Sequence, residues 1–205
     1  MLNQKLINMK NFLKIGLMVA VFFTAFGAQA SEEDFSLSVK SGKGKTVSFS
    51  VNEVKNVSLS IYGKDKETIF GEKIKSKKNV NRIYDLNEFP DGTYILEVET
   101  NSKVAQYEIK IAGNTASISE RAISEVFKPV IVKKDGVVSL NISNTDKSPV
   151  EIQLYDENNT ELYAETISGK SSISKKFDTN KTIAEKLTFV VKYKDQMFVE
   201  TIASR

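Results

Sequence analysis

The feature that most constrains the fold is the alternation of apolar and polar residues that continues along nearly the whole chain after the first thirty positions. KTVSFSV (45–51), NVSLSIY (56–62) and TYILEVET (93–100) each place apolar side chains at every second residue. A period of two puts those side chains on one face of a β-strand, and no segment keeps a helical period over a comparable length. The sequence therefore predicts an all-β protein.

The same layout returns 93 positions later in the chain. NVSLSIYGKDKETIFGEKI (56–74) aligns with PVEIQLYDENNTELYAETI (149–167), and VSFSV (47–51) aligns with VSLNI (138–142). The matched pairs in the longer segment are Val57 with Val150, Tyr62 with Tyr155, Phe70 with Tyr163, Glu72 with Glu165 and Ile74 with Ile167. Strand length, turn position and side-chain parity agree together, which indicates an internal duplication.

Each unit of this repeat is predicted to hold seven short strands. In the first unit they lie near 35–40, 45–51, 56–62, 68–74, 79–85, 92–100 and 103–111. In the second they lie near 127–133, 136–143, 149–155, 161–167, 171–178, 186–194 and 196–203. Seven short strands separated by frequent turns are typical of an immunoglobulin-like sandwich of two antiparallel sheets. The polar segment between the two sets lacks a clear alternation and is expected to be a linker.

The predicted order is a signal peptide at 1–30, a first sandwich at 31–112, a linker at 113–125 and a second sandwich at 126–205. The fold class is thus two tandem immunoglobulin-like antiparallel β-sandwich domains that follow a cleaved signal peptide.

The first thirty residues have the three-part layout of a secretory signal. Lysines occur without acids in the first fourteen residues, an apolar run follows at 15–26, and Ala28 and Ala30 provide small side chains before a cleavage point at Ser31. Either Met1 or Met9 can serve as the initiator, and an uncleaved anchor is the alternative. The apolar run is too short for a transmembrane anchor in the mature chain. The sequence predicts export to the periplasm or the cell surface.

Composition excludes several classes of function. Removing the three lysines of the first thirty residues from the 29 basic residues leaves 26, which balances the 26 acidic residues, so no basic footprint for nucleic acid remains. The chain has no His and no Cys, which excludes serine–histidine and cysteine–histidine catalysis, histidine metal sites and disulfides. Carboxylate-pair hydrolysis stays open in principle, although the acids fall at turns and outward strand positions. We expect no cofactor and no enzyme activity.

The stretch DLNEFPDGTYILEVET (85–100) raises the choice between a metal site and a structural corner. Asp91 and Gly92 follow a proline in a turn signal in which glycine tolerates a positive φ, and Tyr94 opens the next strand. Immunoglobulin-like domains carry at this place a tyrosine whose hydroxyl bonds back to the turn backbone. The alternative is a calcium loop with Asp85, Glu88 and Asp91 as ligands. The equivalent segment of the second unit, at 178–193, has Leu187 in place of Tyr94 and no Asp-Gly turn, which favours the corner.

Four other features can be assigned either to binding or to structure. The lysine-rich KIKSKK (73–78) with Arg82 is a basic patch for an acidic glycan, or a solvated loop. Tyr62 and Tyr155 end equivalent strands on the outward parity and are candidate aromatic platforms for sugar rings, or packing residues at the rim of each domain. DENNTE (156–161) matches GKDKE of the first unit and is expected to be a hairpin turn. SGKGK (41–45) lacks the spacing of a phosphate-binding loop and is expected to be a turn.

The segment YDLNEFPDGTYILEVETNSKVAQYEIKI (84–111) resembles the β-sandwich modules of secreted Bacteroidota proteins. These include the C-terminal sorting domain of type IX secretion and related uncharacterised immunoglobulin-like domains. The similarity lies in the spacing of Leu86 and Phe89, in the Gly92-x-Tyr94 corner and in the alternating strand and hairpin that follow. It implies an immunoglobulin-like fold and an exported setting. The C-terminal KDQMFVETIASR lacks the corner, so the resemblance does not extend to a cleavable sorting signal.

Together these observations predict a non-enzymatic exported protein that works by binding or scaffolding in the periplasm or at the cell surface. The expected partner is an envelope or extracellular protein. The alternative is a carbohydrate-binding module that acts on envelope or extracellular glycans.

Overall fold

The computed structural model describes residues 37–41, 43–51, 56–75 and 80–204, and these residues form β-strands and connecting turns. The only helical turn among them is a 3-10 turn at Thr179–Lys181. The all-β class predicted from the sequence is confirmed. The predicted cleavage residues Ala28, Ala30 and Ser31 lie outside the described residues.

The described chain divides into two compact units, residues 37–127 and residues 128–204. Strands of the first unit are β1 (Leu37–Ser41), β2 (Thr46–Val51), β3 (Asn56–Tyr62), β4 (Thr68–Lys75), β5 (Val80–Asp85), β6 (Gly92–Glu99), β7 (Lys103–Ala112), β8 (Thr115–Ile118) and β9 (Ser124–Phe127). Strands of the second unit are β10 (Val130–Lys134), β11 (Val137–Ser143), β12 (Val150–Tyr155), β13 (Glu161–Ile167), β14 (Ser172–Asp178), β15 (Lys186–Tyr193) and β16 (Gln196–Ala203).

The first unit is a sandwich of two antiparallel sheets. One sheet has the strand order β1-β2-β5, and the other has the order β4-β3-β6-β7-β8, with β9 also pairing along β7. Alternate residues of the central strands point inward, so that β2 buries Val47, Phe49 and Val51 and β3 buries Val57, Leu59 and Ile61. The core is therefore formed by the apolar side chains at every second position of these strands.

The second unit repeats this arrangement with sheets β10-β11-β14 and β13-β12-β15-β16. Each of its strands corresponds to one of the first seven strands of the chain. In both units these seven strands divide three against four, and consecutive strands cross between the sheets at the same three places, after the second, the fourth and the fifth strand. This order is that of an immunoglobulin-like Greek-key sandwich. Every predicted strand is present, and none of its described ends differs from the expected one by more than three residues.

The two units share local irregularities as well as strand order. The pairing of β3 with β4 shifts register between Ile61 and Tyr62, and that of β12 with β13 shifts between Leu154 and Tyr155. The following turns both contain a residue with a positive φ, 59° at Lys66 and 58° at Asn159. DENNTE therefore forms the predicted hairpin turn, closed by a bond from Asp156 N to Thr160 O of 3.0 Å.

The predicted linker at 113–125 is wrong. β8 pairs with the C-terminal half of β7, from Ile109↔Ile118 to Ala112↔Thr115, and β9 pairs with its N-terminal half. Ala116 is buried in the core of the first unit, and the division between the units follows Phe127. Each of these strands has only four residues, which is too few for a period of two to stand out from a polar loop.

Candidate functional site

The turn between β5 and β6 holds the predicted corner. The hydroxyl of Tyr94 donates to the carbonyl oxygen of Pro90 at 2.8 Å, and its ring packs edge-on against Phe89 with centroids 5.3 Å apart. The Tyr94 side chain is buried in the core of the first unit. The turn is closed by Phe89 N, which donates to Leu86 O at 3.0 Å. The sequence predicts this bond from the hydroxyl to the turn backbone because both ends lie within four residues.

Asp91 and Gly92 have roles that differ from the predicted ones. Asp91 Oδ2 accepts a bond of 2.9 Å from Gly113 N, so the carboxylate caps the turn that follows β7 and not its own turn. Lys45 Nζ lies 4.0 Å from Asp91 Oδ1 and donates to Phe89 O at 3.0 Å. Gly92 is already the first residue of β6, and its φ is not among the positive values, so the turn does not use the positive φ that glycine tolerates.

The carboxylates of this stretch are used by the backbone. Asp85 Oδ1 accepts from Asn87 N at 3.0 Å, a local turn bond of the kind that aspartate commonly forms. Together with the bond from Gly113 to Asp91, it leaves the calcium alternative without a converging set of oxygen ligands. Over the described part of the chain, no group of three or more His, Cys, Asp or Glu residues is placed to hold a metal ion.

Tyr62 and Tyr155 lie at the bulged ends of β3 and β12, and each hydroxyl contacts a carboxylate of its own unit. Tyr62 donates to Glu97 Oε1 at 3.2 Å, and Tyr155 is 3.5 Å from Glu161 Oε2. Burial, followed by the nearby charge of Glu97, raises the pKa of Tyr62 above its usual value. Tyr62 belongs to the first unit and Tyr155 to the second.

A repeated cluster that the sequence analysis did not recognise joins the two sheets of each unit. In the first unit Arg82 Nε lies 3.1 Å from Glu72 Oε1, and the hydroxyl of Tyr84 donates to Glu72 Oε2 at 3.1 Å. The Tyr84 ring packs edge-on against Phe70 with centroids 5.1 Å apart. Burial, and after it the Glu72 carboxylate, raises the pKa of Tyr84 well above its usual value.

The second unit builds the same cluster at positions shifted by 93. Lys175 Nζ donates to Glu165 Oε2 at 2.6 Å, and the Tyr163 hydroxyl donates to the same oxygen. Tyr163 packs edge-on against Phe177 with centroids 5.3 Å apart. Tyr and Phe have exchanged places relative to Phe70 and Tyr84, yet the carboxylate still receives one cation and one hydroxyl. The hydrogen bond from Lys175, and then the one from Tyr163, lowers the pKa of Glu165.

These clusters explain Arg82, which the sequence analysis placed in a basic patch with KIKSKK. Arg82 faces inward toward β4 and is paired with Glu72, so it does not contribute a free charge to that patch. Residues 76–78 of the patch lie outside the described residues. Each cluster links two edge strands that belong to different sheets, β4 with β5 and β13 with β14. Its role is structural, since it holds the two sheets together, and we call it the clasp.

The opposite rim of the second unit presents apolar side chains to solvent. Met197 and Val199 of the edge strand β16 are 61% and 57% exposed, and Val132 of the edge strand β10 is 51% exposed. Contiguous exposed apolar side chains on a strand edge are a recurring feature of protein-interaction surfaces. The sequence pattern does not reveal this surface, because the alternation that predicts a strand does not show whether the edge of that strand is covered.

No protein-family model matches the chain, and no curated protein is similar to it. Among solved structures, it is similar to a biofilm associated protein (BSP domain) at 16% identity and a TM-score of 0.27, over 81% of this chain and 29% of that chain. It is also similar to native alpha-2-macroglobulin from Escherichia coli spanning domains NIE-MG1, at 12% identity and a TM-score of 0.27, over 82% of this chain and 98% of that one. A third similarity, at 8% identity and a TM-score of 0.26, is to the chicken CNTN1 FN1-FN3 domains, over 83% of this chain and 63% of that one.

The chain spans about three tenths of the length of the biofilm associated protein that it matches. The fold follows from the strand order of the two units. Within the described residues no helix has the length and hydropathy needed to cross a membrane.

Proposed function

We propose that this chain is an exported, non-enzymatic binding or scaffolding protein of the periplasm or cell surface. The observation that carries the proposal is the edge of β16, where Met197 and Val199 are exposed on a strand that, among the described residues, is paired on one side only. Edge strands offer unpaired backbone donors and acceptors to another chain, and apolar side chains beside them add contact area.

The distribution of charged groups supports a role without catalysis. Glu72 and Glu165 are bound by cations and hydroxyls that join two sheets, and Asp85 and Asp91 accept from backbone N–H groups. Carboxylates used in this way hold turns and sheets in place. The absence of His and Cys from the sequence removes the usual nucleophiles and bases that would act beside them.

Export is supported by the first thirty residues and by the resemblance of 84–111 to secreted Bacteroidota sandwich modules. A protein partner is preferred to a glycan because Tyr62 and Tyr155, the candidate sugar platforms, direct their hydroxyls to carboxylates of their own units. The formal neutrality of the chain after residue 30 argues against a nucleic acid.

The test is photo-crosslinking in intact cells from position 197, with position 176 as the matched control. Lys176 is exposed on β14, an edge strand of the same unit. We expect a crosslinked product from position 197 that contains an envelope protein, and none from position 176. An equal yield from both positions, or turnover of a substrate that one acidic substitution abolishes without unfolding the chain, would contradict the proposal.

A further inference from the structure

The edges of the second unit differ in how they are protected against pairing with another chain. β14 carries Lys175 and Lys176, and β13 carries two glutamates and a register shift against β12. The third edge, β10, has only five residues and ends in Lys133 and Lys134. Short length, charged side chains and bulges are the devices by which sheet edges avoid association.

β16 lacks these devices. It is eight residues long, it has no Lys, no Pro and no bulge, and it pairs with β15 without a shift from Lys186↔Ala203 to Tyr193↔Gln196. Its one charged side chain is Glu200. Lys133 Nζ, which donates to Ala203 O at 3.1 Å, reaches only the last residue of the strand.

In the first unit, two further strands of the same chain cover the edge that is equivalent to the free edge of β16. β7 is the strand equivalent to β16 at an offset of 93 residues, and β8 and β9 pair along its outer edge. Val104, the counterpart of Met197, is 4% exposed and lies opposite Val126 of β9. No described strand takes the equivalent position beside β16.

We propose that the uncovered edge of β16 pairs with β16 of a second copy of this chain, antiparallel about a two-fold axis. The inference rests on the proposed function and names the partner at that edge. In an antiparallel pair, residues directly opposite each other point to the same face of the sheet. When two identical strands pair in this way about a two-fold axis, the axis must therefore pass beside one residue, which lies opposite its own copy.

The centre that fits the side chains is Val199. It places Val199 opposite its own copy, Met197 opposite Thr201 and Phe198 opposite Glu200. Val199 also lies opposite Val190 of β15, so the outer face gains a stripe of Val190, Val199 and their two copies across the axis. Centring the pair on Glu200 instead sets two carboxylates directly opposite each other, an arrangement that is destabilising.

The sequence makes the register directly testable, because the chain has no cysteine. In protein purified from cells in its processed form, Val199→Cys is expected to give a disulfide-linked dimer under mild oxidation. Directly opposed residues of antiparallel strands have Cα atoms about 4.5–5.5 Å apart, which a disulfide spans, whereas diagonal neighbours are about 7–8 Å apart. Glu200→Cys is therefore expected to stay monomeric on a denaturing gel. The reverse result would overturn the proposed register.

Self-association is measured independently by sedimentation over a concentration series. The unmodified protein is expected to gain mass with concentration toward a dimer, and Val199→Lys is expected to remove that gain by placing two ammonium groups at the axis. Val132→Lys, the same change on the exposed edge of β10, is the matched control and should leave the dimer intact. A monomer at every concentration, or equal loss in both variants, would overturn the proposal. If position 197 still crosslinks to a different envelope protein in that case, the proposed function stands and only the identity of the partner is wrong.

Discussion

Glu72 and Arg82 face each other from two edge strands that belong to different sheets, with Arg82 Nε 3.1 Å from Glu72 Oε1. Both residues lie at inward positions, since Glu72 is opposite Leu59 in the pairing of β4 with β3 and Arg82 is opposite Phe49 in that of β5 with β2. The pair closes one rim of the sandwich and also places charge on two edges that would otherwise be open to pairing. Glu165 and Lys175 do the same in the second unit, and the equivalent rim is therefore closed in both units.

The first prediction concerns the ion pair of the second unit. Glu165→Ala is expected to destabilise the folded state by about 1–3 kcal/mol, because it leaves the ammonium of Lys175 and the hydroxyl of Tyr163 without their acceptor. The Lys175 side chain is 11% exposed, so solvent replaces the lost carboxylate poorly. Lys175→Met keeps the packed stem and removes the charge, and it is expected to cost less. Urea unfolding of the two variants gives the comparison, and a larger loss for Lys175→Met would contradict it.

The second prediction is a dependence of stability on pH that comes from Glu165. Its folded-state pKa is lowered by Lys175 and then by Tyr163. The ionised carboxylate therefore stabilises the fold above its unfolded pKa of about 4.3, and that stabilisation is lost as the pH falls through the lower folded pKa. Glu165→Gln and Lys175→Met should both flatten the fall in stability over this acidic window. Urea midpoints measured from neutral pH downward test this, and curves parallel to that of the unmodified protein would refute it.

Much of the fold could be predicted from the sequence because a strand with one buried face has alternating apolar and polar residues. The internal duplication also means that this pattern occurs twice for each of the seven equivalent strands. The corner at Tyr94 was also accessible, since its donor and acceptor are four residues apart. The clasp was not recognised, because Glu72 and Arg82 are ten residues apart on strands that only the crossing between sheets brings together. A signal was present in the repeat: the charges of Glu72 and Arg82 recur at Glu165 and Lys175.

The third prediction compares two tyrosine hydroxyls. Tyr94→Phe removes the bond to Pro90 O and is expected to destabilise the first unit by about 1–3 kcal/mol, a large share of the roughly 5–15 kcal/mol typical of a domain. The hydroxyl of Tyr193 is buried and has no hydrogen-bond partner among the described residues. Tyr193→Phe is therefore expected to be neutral or slightly stabilising to the second unit.

Amide hydrogen exchange resolves the two units within one chain. Tyr94→Phe should weaken protection in residues 80–112 and leave the second unit unchanged, because distant sites behave additively. A uniform loss of protection in both units would mean that they unfold together. A loss for Tyr193→Phe equal to that for Tyr94→Phe would show that the corner bond contributes nothing specific.

The last prediction separates backbone strain from a steric clash at two glycines of the second unit. Gly136 has φ 72° in the two-residue turn between β10 and β11, and Gly169 has φ 73°. A Cβ at Gly136 would lie 2.3 Å from Oδ1 of Asn180, whereas a Cβ at Gly169 would have no atom within 4 Å. Alanine at either position costs roughly 1 kcal/mol for the left-handed backbone. Gly136→Ala should cost little beyond that, because the atoms in the way belong to the end of the exposed Asn180 side chain, which can turn aside while Thr179 N and Oγ1 remain bonded to Gly136 O at 2.8 Å. Adding Asn180→Ala should therefore change the cost of Gly136→Ala little in a double-mutant cycle measured by urea unfolding. A cost for Gly136→Ala clearly above that for Gly169→Ala, removed by Asn180→Ala, would show that Asn180 constrains the turn.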